Sequence, residues 1–125
     1  MLYTSYISNM RNLPEGEYIL ITRWSPKSLD LTKFENAKWL PILSPSDILL
    51  AQYKNGAMTK QEMLLKYKEF LSNDISAQLI IKEIAEKAKE SDVFLICYEK
   101  EAFDCHRSIL AQYISDNYRI PWKEY

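Results

Sequence analysis

The segment from residue 94 to residue 114, FLICYEKEAFDCHRSILAQYI, holds both cysteines and the only histidine of the chain. A thiol can act as a nucleophile, an imidazole gains and loses a proton near neutral pH, and a carboxylate can do acid–base work. A guanidinium offers a planar fork that matches a carboxylate or a phosphate. These residue types within one short stretch make Glu99, Cys105, His106 and Arg107 candidates for a polar site, with Cys97 in the apolar run before them.

Cys105, His106 and Arg107 are expected to occupy the first turn of a helix capped by Asp104. The positive end of a helix and a nearby cation favour a reactive thiolate, which makes Cys105 the candidate nucleophile. His106 and Glu99 are the other candidate catalytic residues, as base, hydrogen-bond donor or orienting carboxylate. Adjacent residues on a helix do not face each other, so a direct contact between Cys105 and His106 is not expected.

Each of these residues also has a structural interpretation. Cys97 lies inside an apolar run and is expected in the core, where a buried cysteine behaves as a small apolar side chain. Cys105 could instead pack beneath the loop, and Glu99 with Arg107 could be an ion pair that anchors that loop. The eight-residue separation of the cysteines lacks the short paired spacing of zinc sites. We therefore predict neither a metal nor a cofactor.

The strands and helices that should position these residues are predicted from apolar patterns and from residues typical of helix ends and turns. A capping box begins at Thr59, and Gly56 stands where an earlier helix should end. Pro41 argues against a central strand near residues 38–43. The predicted strands cover residues 2–8, 18–22 and 92–98, with a loop at 23–36, and the predicted helices cover residues 47–55, 60–71, 75–90 and 106–117. The helix at 75–90 is predicted to bury Leu79, Ile80, Ile84 and Ala88.

The fold class follows from two strands that are apolar on both faces, residues 18–22 and 92–98, separated by long helices. This pattern predicts a single α/β domain over residues 1–125, with a mostly parallel sheet flanked by helices in a Rossmann-like three-layer arrangement. The topology stays open at this point, because about ten residues between the first two strands are few for a parallel crossover with its own helix.

Composition narrows the classes of function. Sixteen basic and 17 acidic residues give a net charge of −1, so no overall field favours nucleic acid or a membrane surface. Only Gly16 and Gly56 are glycines, which excludes a glycine-rich phosphate loop. The sequence has no signal-like or membrane-spanning apolar run, and two cysteines are typical of a reducing compartment. We expect a cytoplasmic protein without a membrane partner.

The stretch LICYEKEAFDCHRSILAQYI resembles the signature of the family called domain of unknown function 488, in which Cys-x-Glu at a strand end precedes a Cys-His-Arg helix start. YTSYISNMRNLP, YILITRWSP and LPILSPSDILLAQYKNGAMTKQEMLLKYKEFL resemble other parts of that family, so the resemblance covers nearly the whole chain. It implies an α/β fold and a polar site around the five residues named above, and no established reaction. Many relatives have Asp-x-Arg at the end of the second strand, where this chain has Ile21-Thr22-Arg23.

The ends of the other strands supply candidate ligand-binding residues. Asn9 and Arg11 follow the first strand and Arg23 follows the second, so the three arginines Arg11, Arg23 and Arg107 are expected to converge. Converging guanidinium groups favour a small anionic ligand, nucleotide-like or otherwise phosphorylated. The alternative for Arg11 and Arg23 is plain surface solubility.

Two functions therefore remain open from the sequence. The first is the binding or processing of that anionic ligand, with enzymatic activity undecided. The alternative is a non-enzymatic interaction module, in which Trp24, Trp39 or Trp122 contacts a protein or a nucleic acid. Near-neutral charge predicts that nucleic-acid binding is weak and salt-sensitive. The oligomeric state does not follow from the sequence.

Overall fold

The computed structural model describes residues 1–26, 29–98 and 106–125. These described residues form five strands and four α-helices: three strands come first, then three helices, a fourth strand, the last helix and the last strand. The strands are β1 Leu2–Tyr6, β2 Glu17–Leu20, β3 Ala37–Trp39, β4 Val93–Cys97 and β5 Trp122–Glu124. The helices are α1 Asp47–Lys54, α2 Lys60–Asn73, α3 Ile75–Glu90 and α4 His106–Tyr118.

All strands are parallel and stand in the order β3-β2-β4-β1-β5. β4 occupies the centre, and each of its five residues is buried, as expected for a strand covered on both faces. β3 lies at the edge, in agreement with the expectation that Pro41 argues against a central strand in this region. β5 was not predicted, because Trp-Lys-Glu shows no apolar alternation and the strand pairs with β1 alone.

Three layers result, as the sequence predicts. Val93, Leu95 and Cys97 face a core formed with α2, α3 and α4, whereas Phe94 and Ile96 face a second core. That second core is closed by the 3-10 helix Ile7–Asn12 and by the segment around the 3-10 helix Leu31–Lys33. α-Helices thus cover one face of the sheet, and 3-10 turns with loops cover the other.

The short connection between β1 and β2 is explained by the strand order. The two strands are parallel but are not neighbours, because β4 lies between them. The connection needs no long crossover helix, since the 3-10 helix Ile7–Asn12 places Met10 against the sheet on the way. The open question about topology is resolved in favour of a parallel sheet.

Helix ends follow the sequence signals closely. The Ser46 side chain accepts a hydrogen bond from the Leu49 amide at 3.2 Å, and Gly56 takes a left-handed φ of +83° after α1. At α2, Thr59 and Glu62 form the predicted reciprocal capping box. The boundaries predicted from capping chemistry are therefore confirmed.

The buried face of α3 requires one correction. Ile84 and Ala88 are buried as predicted, but Leu79 is 65% exposed and Ile81 is fully buried instead. The buried face runs through Ala77, Ile81, Ile84, Ala85 and Ala88. Leu79 lies two positions from both Ala77 and Ile81, which turns its side chain to the opposite side of the helix.

In the part of the chain that the structure describes, no helix combines the length and apolar character needed to cross a membrane.

Glu17 at the start of β2 predicts a measurable pH dependence of stability. Its Oε1 lies 3.0 Å from Lys87 Nζ and 3.1 Å from Lys38 Nζ. Burial pushes the pKa of Glu17 up, but hydrogen bonds and charge from the two lysines lower it by more, so the net pKa falls below its ordinary value. This stabilisation is present above the unfolded-state pKa and is lost as pH falls through the folded-state pKa.

Glu17→Gln is expected to lower the free energy of unfolding by about 0.5–1 kcal/mol at pH 7, since the ion pairs are partly screened by solvent. The difference from the parent protein should shrink as the pH falls through the lowered folded-state pKa of Glu17. Thermal unfolding between pH 7 and pH 3 measures it, with the exposed Glu15→Gln as control. A difference that persists at pH 3 would show that the loss is not electrostatic.

Candidate ligand-binding site

The carboxyl ends of β2 and β4 form the crevice of this sheet. The two strands are neighbours, but the chain leaves β2 towards β3 across the loop-covered face and leaves β4 through α4 towards β5 across the helical face. Connections that depart in opposite directions from adjacent parallel strands open a crevice beyond the strand ends, where ligands bind in open α/β sheets. This position follows from topology alone.

A cavity of about 260 Å³ lies at this crevice. Thr22, Arg23 and Trp24 line it from the segment after β2, and Tyr98 and His106 line it from the end of β4 and the start of α4. The remaining walls come from the segment before α1 and from α1 itself, through Ser44, Pro45, Leu50 and Lys54. Segments far apart in sequence thus meet where the sheet topology predicts a binding site.

The charge of this cavity is positive. Arg23 and Lys54 contribute permanent cations, and none of the described residues that line the cavity carries a carboxylate. His106 adds a third group that can become positive. A concave site lined by one sign of charge concentrates ligands of the opposite sign, so the cavity favours anions.

Arg23 is held in place by backbone carbonyl groups. Its Nε donates a hydrogen bond to the Pro45 carbonyl at 3.1 Å, and its Nη2 donates to the Ser44 carbonyl at 3.2 Å. Among the described residues, Nη1 has no hydrogen-bond partner. The guanidinium is therefore oriented by the protein and keeps donor capacity for a ligand. Arg23 also lines a neighbouring cavity of about 460 Å³.

The ring of His106 has a defined tautomer and orientation. Its Nε2 lies 2.5 Å from the Ile21 carbonyl oxygen. A carbonyl can only accept, so Nε2 is the donor of this hydrogen bond. The Tyr67 ring meets the imidazole edge to face at a centroid distance of 5.5 Å.

Tyr67 is itself fixed beneath the site. Its hydroxyl donates to the Leu43 carbonyl at 2.5 Å, and its side chain is fully buried. Burial raises the pKa of the Tyr67 phenol far above its ordinary value, so this hydroxyl stays a neutral donor. The His106 imidazole therefore packs against the Tyr67 ring, whose hydroxyl stays protonated and uncharged.

Arg107 belongs to a separate buried cluster. The side chain is fully buried, with Nε 3.0 Å from Oε1 of Glu124 and Nη2 3.2 Å from Oε2. Oε1 of Glu124 also accepts from the Thr4 hydroxyl at 2.9 Å. Arg107 Nη1 lies 3.1 Å from the Cys97 sulfur, and the guanidinium carbon lies 5.9 Å from the centre of the Tyr6 ring.

Cys97 is fully buried, as predicted from its apolar strand. Its sulfur is disulfide-bonded, which differs from the reduced cysteines typical of the reducing compartment expected from the sequence. The other candidates of this segment, Glu99 and Cys105, lie outside the described residues, and so does the alternative ion pair between Glu99 and Arg107. Their roles stay predictions.

Asn9 and Arg11 lie on the 3-10 helix that follows β1. Asn9 Nδ2 donates to the Ser5 hydroxyl at 3.1 Å and to the Tyr125 carbonyl at 3.3 Å, while Arg11 is exposed. Within the described parts of the chain, neither residue lines the cavity that holds Arg23. The structure therefore brings Arg23 and His106 together and gives Arg11 and Arg107 different surroundings.

Comparison with known families adds one positive result. A family model described as the active DUF488-N3 subclade, DUF488-N3a, matches residues 2–118. The chain belongs to the DUF488 family. No curated protein and no solved structure shows a significant match to it.

The DUF488 match covers every described residue of the cavity, from Thr22 to His106, and ends before β5. Sequence reasoning missed Lys54, Tyr98 and Glu124 as residues of the site region. Tyr98 could have been found by asking which residues follow each strand, whereas Lys54 reaches the site through the packing of α1 and Glu124 lies on the strand that the apolar pattern does not reveal.

A metal site finds no support in the geometry. Within residues 1–26, 29–98 and 106–125, no group of three or more His, Cys, Asp or Glu side chains is placed to hold a metal ion.

Proposed function

We propose that this DUF488 protein binds a small anionic molecule, nucleotide-like or otherwise phosphorylated, in the cavity between the ends of β2 and β4. The observation that carries the proposal is the composition of that cavity: an oriented arginine, a lysine and a histidine, without a carboxylate among the described lining residues. Its position at the sheet crevice supports the same conclusion independently.

Arg23 is the proposed anion anchor. Two of its nitrogens already hold the backbone of Ser44 and Pro45, so the side chain loses little freedom when a ligand binds. The remaining Nη1 can donate a hydrogen bond to a phosphate oxygen. The Lys54 ammonium supplies a second positive charge, which can pair with a phosphate from several directions. A phosphate satisfies both groups, because it offers several acceptor oxygens.

Processing of the ligand is the second part of the proposal. His106 lies in the cavity as a candidate acid–base group, and Glu99 and Cys105 precede it in the sequence as a second acid–base group and, where the cysteines are reduced, a candidate nucleophile. The family description calls this subclade active, which supports chemistry in addition to binding. The proposal needs no cofactor.

Arg107 is proposed to support the structure around the site. The guanidinium is buried and paired with Glu124, so its contribution to the site is to hold the start of α4 beside β4 and β5. Asn9 and Arg11 remain candidate ligand contacts for a larger molecule that extends past the cavity. Substitution of Arg11 distinguishes a ligand held by the cavity alone from a larger ligand that extends past it.

Isothermal titration with inorganic phosphate, pyrophosphate and adenosine monophosphate tests the proposal. Arg23→Met and Lys54→Met are each expected to weaken binding by about 10- to 100-fold, the range for a lost charge-assisted hydrogen bond. Lys68→Met on the exposed side of α2 is the matched control and should bind normally. Arg11→Met should also bind normally if the cavity alone holds the ligand.

The contrary result is equally clear. No binding of any of the three probes, or equal affinities of Arg23→Met, Lys54→Met and Lys68→Met, would contradict the proposal. Since Arg23 also holds the segment before α1, thermal unfolding of Arg23→Met must accompany the titration. Within the described parts of the chain, the Lys54 ammonium contacts only the Trp24 ring, at 5.5 Å from its centroid, so the Lys54 variant keeps the test valid if Arg23→Met unfolds.

In the alternative function, a non-enzymatic interaction module, Trp24 is the candidate residue for contact with a partner. Trp39 donates from its Nε1 to the Thr22 carbonyl, and Trp122 donates to Gln112, so both are partly buried and partnered. Trp24 is 55% exposed and is accessible to a partner. Salt-sensitive binding of a fluorescent single-stranded oligonucleotide, without binding of mononucleotides, would favour this alternative.

A cytoplasmic location is also a proposal. Structural disulfides are rare in reducing compartments, so the disulfide of Cys97 would be expected to open there or to act in redox chemistry. Counting alkylated cysteines by mass spectrometry, in protein taken rapidly from cells, tests the location. Two alkylated cysteines per chain are expected in the cytoplasm, and none in an oxidising compartment.

A further inference from the structure

Trp24 has an unusual position for a tryptophan. Its side chain is 55% exposed and lines two adjoining cavities, the one with Arg23 and His106 and a second of about 410 Å³ against α1. Tryptophan is highly buried on average, so an indole left open between two cavities at a candidate site calls for a function. Tyr98 is a second half-exposed ring at the same site.

We propose that the ligand is specifically a nucleotide, whose base stacks on Trp24 while Arg23 holds its phosphate. This inference rests on the proposed function and deepens it, since the anion site alone would accept a phosphorylated sugar equally well. The two anchors are consecutive residues on one turn, so their spacing is set by the backbone.

The turn that carries both anchors is rigid. The Thr22 hydroxyl donates to the Trp24 carbonyl at 2.9 Å, and the Trp39 indole donates to the Thr22 carbonyl at 2.8 Å. Arg23 is tied to the segment before α1 at the same time. A stacking ring on a fixed turn costs little conformational entropy on binding, which favours recognition of a planar group.

The surroundings of the indole also suit a base. The Lys54 ammonium lies 5.5 Å from the ring centroid, in a cation–π contact with the indole. The second cavity continues past the ring along the apolar side chains Ile48, Leu50 and Ala51 of α1. A planar aromatic group placed there contacts the indole and apolar surface together, whereas a sugar offers no π face.

Selectivity between two ligands tests the inference. Adenosine monophosphate is expected to bind about 5- to 100-fold more tightly than ribose 5-phosphate, the range for one base stacked on an aromatic side chain. Trp24→Leu should remove this preference, so that adenosine monophosphate and ribose 5-phosphate bind with similar affinities. Trp24→Phe should retain most of the preference, because a phenyl ring still stacks.

The two proposals fail in different ways. Equal affinities of the parent protein for both ligands, with no effect of Trp24→Leu, would overturn the nucleotide assignment and leave the anion site intact. Binding of neither ligand would overturn both proposals. A preference for the nucleotide that survives in Trp24→Leu would place the base elsewhere and would also overturn the inference.

Discussion

Glu124→Gln is expected to lower the free energy of unfolding by about 3 kcal/mol, because it removes the carboxylate that pairs with the buried Arg107 guanidinium. Arg107 is fully buried, and its Nε and Nη2 donate three hydrogen bonds to the two carboxylate oxygens of Glu124. Glu124 is itself 32% exposed, which places the expected loss at the lower end of the range for breaking buried pairs. Urea-induced unfolding at pH 7 measures it.

A double-mutant cycle separates this interaction from simple loss of packing. Arg107→Met removes the charge that must be compensated and keeps a long apolar side chain. If the pair acts as described, Glu124→Gln should cost much less in the Arg107→Met background than in the parent protein. Glu69→Gln on the exposed side of α2 is the control and should change stability little. Equal costs of Glu124→Gln in both backgrounds would contradict the account.

His106→Gln is expected to lower turnover of the bound ligand by about 10²- to 10⁴-fold, the usual contribution of a general acid or base. A glutamine amide can still donate to the Ile21 carbonyl, so the start of α4 should stay in place. Affinity for the nucleotide should change far less than turnover, because Arg23 and Lys54 remain. Phosphorus NMR of a nucleotide mixture incubated with the protein detects conversion and measures the rate.

Tyr67→Phe provides the matched control for His106. It removes the hydroxyl bond to the Leu43 carbonyl and keeps the ring under the imidazole, so stability should fall by about 1–2 kcal/mol. Turnover per folded molecule should stay near the parent value. Unchanged turnover in His106→Gln, or no turnover of a tightly bound ligand by the parent protein, would contradict an acid–base role of His106.

The fold was largely predictable because its signals are local. Capping residues such as Ser46 and Thr59 mark helix starts through hydrogen bonds to amides two or three residues away, and the apolar run of β4 marks a strand covered on both faces. β5 was not predictable in this way, since its pairing with β1 joins residues about 120 positions apart. No pattern within a short stretch of sequence predicts the pairing of β5 with β1.

Part of the site was also predictable, because some of its residues lie next to local sequence signals. Arg23 and His106 could be named because each follows directly after a strand or begins the helix that succeeds one. Their neighbour Lys54 comes from the middle of the chain, and its approach depends on how α1 packs. The expected convergence of Arg107 with Arg23 assumed that all residues near strand ends face one cavity, whereas the burial of Arg107 under β5 depends on the unpredicted Glu124.

The most direct test of the central claim is to map where a nucleotide binds. Nitrogen-15 NMR spectra of the protein titrated with adenosine monophosphate should show the largest shifts at the amides of Thr22, Arg23, Trp24 and Tyr98, and in the ring nitrogens of His106, the single histidine of the chain. The Trp24 indole signal should shift, and that of Trp122 should not. Shifts confined to another surface, such as the one formed by Lys66, Glu69 and Asn73, or no shifts at all, would contradict the account.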